Sequence, residues 1–357
     1  MSNERGDAEA RIEELRNRIR ALDKKYYQAA DPEVSDREYD RLKEELVSLE
    51  QDVLGVNPED SPTTQVGDDR LEGFDSYRHR DPMLSLDNTY NREDLLAFDQ
   101  RLRKRFEVEE LDYTVDPKID GLAISLTYEK GTLVRAVTRG NGTEGDDVTA
   151  NARTIQTLPT QLKSQNPPDW IELRGEVYLT NDEFLRINQE REKRGEPLYA
   201  NPRNLAAGTI KLLDSRLVAQ RKLAIVVYGL GFCDPDSIGS QTELQQLILE
   251  WGLPVVERYW TVSGIEAVWR SIEELDQMRG EFSYPTDGAV VKLNQRSLQR
   301  EAGRTAKAPR WSIAYKFETE KAETTLRKIG LQVGRTGAVT PVAHLDPVEL
   351  AGTTVAR

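Results

Sequence analysis

Apolar residues return at helical spacing near the start of the chain. Ile12, Leu15, Ile19, Leu22 and Tyr26 stand three or four apart among charged residues, which predicts an amphipathic helix over 8–30. A turn at Asp31-Pro32 separates it from a second helix. Ser35 and Glu38 form a capping box there, and Tyr39, Leu42, Leu46 and Leu49 continue one apolar stripe. The stretch Asn57–Gly67 (NPEDSPTTQVG) is rich in Pro, Ser, Thr and Gly, so it predicts a linker, with a domain boundary near residue 68.

From about residue 85 the period changes. Runs rich in Val, Ile, Tyr and Thr, bounded by turn residues, predict strands over 111–116, 122–129, 132–139, 171–179, 223–230, 287–293 and 312–318. Helices are predicted over 92–106, 181–194, 241–251 and 264–279. Thr180/Glu183 and Ser240/Glu243 read as capping boxes, and Gly195 and Gly252 stand where C-terminal caps belong. The alternation predicts an α+β domain on a mixed, largely antiparallel sheet. The end of the chain returns to strand-like segments with turns at Gly334, Gly337 and Gly352, too few strands to close a five-stranded barrel.

Composition narrows the chemistry. A chain of 357 residues suits two or three domains. It has no run of about 20 apolar residues for a membrane span, and the start MSNERGDAEA lacks the apolar core of a signal peptide, so a cytoplasmic protein is expected. Cys233 is the only cysteine and His79 and His344 the only histidines, which argues against disulfides, zinc sites and Cys/His nucleophiles. With 49 Lys+Arg against 62 Asp+Glu, the net charge of −13 disfavours coating nucleic acid by charge alone. Any phosphate must be handled by a local cationic site.

Candidates for that site stand at strand ends. Lys118 follows a strand and a proline, and Asp120-Gly121 then turns the chain into a hairpin. Taken alone, such a lysine reads first as an ordinary solvated residue beside a turn. As a nucleophile it would need neighbouring cations or burial to depress its pKa. In Glu172–Glu176 the period of two puts Glu172, Arg174 and Glu176 on one face, and in Asp287–Lys292 it puts Gly288, Val290 and Lys292 together. Lys316 ends another apolar strand. If these strands pair, Lys118, Lys292, Lys316 and Arg139 converge on one pocket. Gly140, Gly142 and Gly145 satisfy G-x-G-x-x-G, but no βαβ unit follows, so Arg139–Gly142 reads as a tight turn and not a dinucleotide fingerprint.

These residues match an ordered motif set. Lys118–Gly121 (KIDG), Arg139-Gly140, Glu172–Tyr178 (ELRGEVY), Tyr228-Gly229, Asp287–Lys292 (DGAVVK) and Ala314–Phe317 (AYKF) resemble the motifs of covalent nucleotidyltransferases. Asp36–Asp40 (DREYD), Met83–Asn88 (MLSLDN) and Ala200–Ala207 (ANPRNLAA) narrow the resemblance to the bacterial NAD-dependent DNA ligases. Val333–Val342 (VGRTGAVTPV) resembles the opening of that family's OB-fold.

The resemblance implies a helical NMN-binding subdomain at 1–67, a nucleotidyltransferase adenylation domain of the ATP-grasp-like, DNA ligase/mRNA capping type at 68–317, and an incomplete OB-fold start at 318–357. It implies that Lys118 attacks the adenylyl phosphorus of NAD, releasing NMN, as the first step in sealing nicked DNA during replication and repair. Asp120 would orient Lys118 or help to hold Mg²⁺ near Glu176, with no metal fixed by protein alone and no zinc, and Lys292 and Lys316 would offset phosphate charge. Ser85, Leu86, Asp116, Arg139 and Glu176 would line the AMP site, and Tyr26, Tyr27, Asp36, Tyr39 and Asp40 the nicotinamide face. Arg203 and Lys211 would meet DNA, and a monomer working at the bacterial nucleoid is expected.

Against the family pattern, Asp116 replaces a usual Glu, Tyr27 stands where some members have His, and Lys211 where Arg is common. The zinc module, helix-hairpin-helix repeats and BRCT domain of longer members are missing, so self-adenylation with impaired nick sealing is expected. The alternatives are an ATP- or GTP-using RNA ligase or capping relative, which would not need the helical start, and a non-catalytic nucleotide-binding module.

Overall fold

The computed structural model describes every residue but 1, 24, 26–33, 35, 57, 59, 66–67, 71–72, 318–322, 334–338, 351–352 and 357. Two helices come first, α1 (Ser2–Asp23) and α2 (Asp36–Leu54). Ile12, Leu15, Ile19 and Leu46 form their shared core, with Tyr39, Leu42 and Leu49 against it, so both apolar stripes are buried as the periodicity requires. α1 begins before residue 8, over Ser2–Asp7, which holds no large apolar residue from which a period can be read, and most of its expected course from 24 to 30 lies outside the described residues. Tyr26, Tyr27, the Asp31-Pro32 turn and Ser35 of the capping box lie outside the described residues. The expected linker is partly folded back onto the pair. Ser61 and Thr63 are buried, and Thr63 Oγ1 donates to Glu50, whose buried carboxylate also pairs with Arg16 at 2.8 Å.

The body follows as β1 (Ser76–Arg78), β2 (Asp87–Thr89), α3 (Arg92–Phe106), β3 (Asp112–Ile119), β4 (Leu122–Glu129), β5 (Thr132–Thr138), β6 (Glu144–Asp146) and α4 (Thr149–Ala152). It continues through β7 (Trp170–Tyr178), α5 (Asn181–Lys193), α6 (Pro202–Ile210), α7 (Ser215–Ala219), β8 (Ala224–Asp234), α8 (Gln241–Glu250), β9 (Trp260–Ser263), α9 (Ile265–Met278), β10 (Thr286–Leu293), α10 (Arg296–Ala302) and β11 (Ser312–Lys316). The Thr180 and Ser240 side chains accept from the backbone N–H groups of Glu183 and Glu243, as the capping boxes predict, and Gly195 and Gly252 take φ of +67° and +80°.

The expected sheet is present as two. β2-β11-β10-β3-β9 is antiparallel except at β2–β11, and β5-β4-β7-β8 is antiparallel throughout. The main core lies behind the second sheet. Ile124, Leu126, Leu173 and Val177 pack there against Leu205 and Ile210 of α6 and Leu244 and Ile248 of α8. The opposite face of that sheet is thereby left to Glu172, Arg174 and Glu176. The glycine run forms the expected turn, with Gly140 at φ +60°; a Cβ there would stand 1.8 Å from the Glu144 carbonyl oxygen.

Residues 317–357 form a separate compact unit. In it β12 (Leu326–Val333) pairs with β13 (Val339–Leu345), and β14 (Val348–Leu350) with β15 (Thr353–Val355). The turns expected at Gly334, Gly337 and Gly352 lie outside the described residues.

Candidate active site

The register of β3, β10 and β11 builds a floor three residues wide. Lys118, Gly288 and Lys316 stand in one cross-strand row, Asp116, Val290 and Ala314 in the next, and Thr114, Lys292 and Ser312 in the third. The residue between Lys118 and Lys316 is a glycine. A Cβ on Gly288 would stand 2.1 Å from the Tyr315 carbonyl oxygen. Arg174, Glu176 and Tyr228 face this floor from the other sheet across a cavity of about 850 Å³, rimmed by Tyr39, Asp40, Ser85, Leu86, Arg139 and Arg203. The strand-end cations Lys118, Lys292, Lys316 and Arg139 therefore do converge.

Lys118 is held by a residue the alternation hides. Its ammonium lies 2.8 and 2.9 Å from the two carboxylate oxygens of Asp287. Strict period two sends Asp287 to the far face from Gly288 and Lys292. The register slips between Thr286 and Gly288, and this irregularity re-aims Asp287 into the cleft. Burial, the largest influence, works against the charge on Lys118, as does Arg203, yet the Asp287 carboxylate together with Asp120 offsets both and the amine stays above its ordinary pKa. The expected depression is absent: the cations do converge, but an aspartate stands closer than any of them. Burial likewise disfavours charge on Asp287, and Lys118 nevertheless keeps it below the usual carboxylate range.

The other cleft residues are also paired. Lys292 donates to Asp116 Oδ2 at 2.5 Å and to the Tyr228 carbonyl at 3.1 Å, while Asp116 Oδ1, buried, has no hydrogen-bond partner. Arg139 donates to Ser85 Oγ at 3.5 Å. The Tyr228 hydroxyl donates to Glu176 at 3.2 Å. Burial pushes the Glu176 carboxyl up to about 7, against the pull of Arg203, Lys118 and that hydroxyl. Tyr228 stood in the motif set but not among the expected site residues; its place on β8 opposite Lys292 is visible only once the two sheets face each other.

Asp120, Asp40, Tyr39 and Lys211 have partners other than those foreseen. Asp120, expected to orient Lys118, pairs with Arg203 at 2.8 Å, so Arg203 lines the cleft. Asp40 accepts from Lys316 at 2.8 Å, from Asn88 at 3.3 Å and from the Tyr90 hydroxyl, which docks α2 on the rim. Tyr39 lines the same rim and donates to Asp23. Tyr26, Tyr27 and the Asp36 side chain lie outside the described residues. Lys211, expected to touch DNA, is buried against Asp69 at 2.7 Å and Asp146 at 3.2 Å. The reason is its position at the corner after α6, where its stem points inward.

Among the described residues no group of three or more His, Cys, Asp or Glu side chains could cage a metal ion. Asp120 and Glu176 stand close enough to influence each other's charge. Two carboxylates are a donor set that Mg²⁺ shares with waters and substrate phosphates.

Two facing sheets with a lysine-studded floor between them form a nucleotidyltransferase fold, and the helical pair stands on its rim. Residues 71–320 match the NAD-dependent DNA ligase adenylation domain, residues 5–67 the DNA ligase-like N-terminal NAD⁺-binding domain, and residues 323–357 the NAD-dependent DNA ligase OB-fold domain. The chain belongs to the NAD-dependent DNA ligase family. It is 57% identical over 98% of its length to DNA ligase 1 of Opitutus terrae, covering 53% of that protein. It is 46% identical to the DNA ligases of Methylacidiphilum infernorum and Desulforudis audaxviator, covering 97% and 98% of this chain and 50% and 52% of theirs. The chain thus spans about half the length of the curated relatives it matches.

Proposed function

We propose that this chain carries out the adenylation step of an NAD-dependent DNA ligase. The neutral Lys118 amine attacks the adenylyl phosphorus of NAD. A phosphorus–nitrogen bond forms, the phosphorus–oxygen bond to NMN breaks, NMN leaves with the bonding electrons, and the amine sheds a proton towards the adjoining Asp287 carboxylate. The single observation carrying this reading is the convergence of Lys118, Lys292, Lys316 and Arg139 on one cavity.

The unpartnered Asp116 Oδ1 supplies an acceptor of the kind an adenine amino group requires. Lys292 holds the other oxygen of Asp116 and also lines the cavity, where it can face the phosphate. Arg139 and Ser85 serve ribose or phosphate oxygens, Leu86 the base, and Glu176 the ribose hydroxyls. Lys316 exchanges Asp40 for phosphate as charge develops. Asp36, Tyr39 and Asp40, with Tyr26 and Tyr27, hold the cationic nicotinamide nucleotide. Asp120 and Glu176 are the carboxylates that would hold Mg²⁺, which would supply charge neutralisation at the phosphates.

In this reading residues 1–67, 68–317 and 318–357 are the working divisions, and the chain is a cytoplasmic monomer at the nucleoid that binds nicked duplex DNA weakly and seals it poorly. Arg203 reaches the nick from the cleft. The test is intact-protein mass spectrometry after Mg²⁺ with NAD or with ATP. An added AMP from NAD alone, absent in Lys118→Ala, is expected; addition from ATP, or retention in the variant, contradicts the reading.

A further inference from the structure

Lys211 follows α6 at a corner that is itself fixed. The buried Asn151 amide donates at 2.7 Å to the carbonyls of both Ile210 and Leu212, on either side of Lys211. The lysine side chain is only 4% exposed. Its ammonium lies between Asp69 Oδ1 and Asp146 Oδ2 and also donates to the Asp69 carbonyl. A cation so enclosed has no surface to offer a duplex.

What it holds leads to the cleft. Asp69 lies in the segment between the helical pair and the body, and its Oδ1 also accepts from Thr138 Oγ1 at 2.9 Å. Thr138 Oγ1 in turn accepts from the Asp146 backbone N–H at 3.1 Å. Thr138 ends β5, and the next residue is Arg139, whose side chain lines the cavity. Two buried carboxylates on separate segments repel each other unless a cation stands between them.

We infer that Lys211 is a positioning residue: it pins the Asp69 segment to the ends of β5 and β6 and thereby fixes Arg139 in the cleft. This rests on the adenylation reading above, and it assigns Lys211 to NAD binding and not to DNA.

The test separates KM for NAD from the single-turnover rate of AMP transfer in wild type, Lys211→Met, Lys211→Arg, Arg139→Ala and the Lys211→Met/Arg139→Ala double variant. Lys211→Met should raise KM about tenfold with a smaller fall in rate. Arg139→Ala should cost about as much in wild type but under about twofold more in the Lys211→Met background, because the guanidinium is already misplaced. Lys211→Arg, which keeps the cation, should stay within about threefold of wild type. If Lys211→Met does not fold, Lys211→Met/Asp69→Asn, which removes one charge of each sign, carries the same expectation.

Unchanged adenylation in Lys211→Met, with or without weaker binding of a nicked duplex, overturns the inference; so does full additivity with Arg139→Ala. A wild type that takes no AMP from NAD ends the adenylation reading alone. The pin is then read by hydrogen exchange over 138–146, expected to quicken in Lys211→Met and not in Arg139→Ala, and unchanged exchange overturns it.

Discussion

The cleft and the Lys211 corner both set lysines against aspartates, and the difference lies in what surrounds each pair. In the cleft, the Lys118 and Asp287 side chains are 20% and 24% exposed and open onto a cavity. At the corner, Lys211 is 4% exposed and meets two carboxylates that are each 2% exposed. A pair at an open cavity can trade one partner for a ligand of the same charge. A pair closed in the interior cannot, because opening it leaves an uncompensated charge worth about 3–5 kcal/mol. Residue type is therefore a poor guide to role: the same two side chains serve as an exchangeable site in one place and as a fastening in the other.

The sharpest way to break this contrast is Lys292→Ala. Lys292 is nearly as buried as Lys211, yet it lines the cavity, so the contrast assigns it to chemistry. Single-turnover AMP transfer should fall about 10²- to 10³-fold, as when a preorganised charge facing a transition state is removed. A variant that folds normally and transfers AMP within about threefold of wild type would put Lys292 with Lys211 among the fastenings.

Asp287→Asn tests the exchangeable pair itself. Transfer requires a neutral Lys118, and Asp287 holds that amine above its ordinary pKa. The rate in wild type should therefore climb with pH into the alkaline range. In the variant the rising limb should move to lower pH, while the maximal rate drops about 100-fold for loss of the aligned carboxylate. A pH–rate profile whose limb stays in place would mean that Asp287 does not set the amine's pKa in the NAD-bound state.

Much of this was legible in the sequence, for identifiable reasons. Strands β4, β5 and β7 and helices α3 and α5 were located within a residue or so because each has a clear period and a local stop signal such as Thr180 or Gly195. The shorter strands β1, β2, β6 and β9, at three or four residues, are too brief for alternation to register. Helix α6 was hidden because ANPRNLAAG reads as a loop until Asn201 caps it and Pro202 takes its first turn. Site residues on regular strands followed from period two; Asp287 did not, because a register slip is a departure from that period. The pairings of Asp120 with Arg203 and of Lys211 with Asp69 join residues 83 and 142 positions apart, which no local pattern can encode.

The smallest expected effect is on stability, and it bears on whether the cleft is built at a cost to the fold. Burial pushes Glu176 up to about 7 from an ordinary value of 4.5. A carboxyl raised in the folded state contributes stability that is complete below the unfolded value and is lost as pH rises through the folded one. The loss should thus fall between about pH 4.5 and pH 7 and level off above it. The full shift corresponds to at most about 3 kcal/mol, and cleft water should reduce it to about 1–2 kcal/mol. Glu176→Gln cannot titrate, so its stability relative to wild type should be about 1–2 kcal/mol greater at pH 8 than at pH 5. Chemical denaturation at the two pH values measures this, and comparing them cancels the constant effect of the amide. A difference that does not change with pH would mean that Glu176 is already charged at pH 5 and is stabilised by Arg203 and Lys118, and the cleft would then cost the fold nothing at that position.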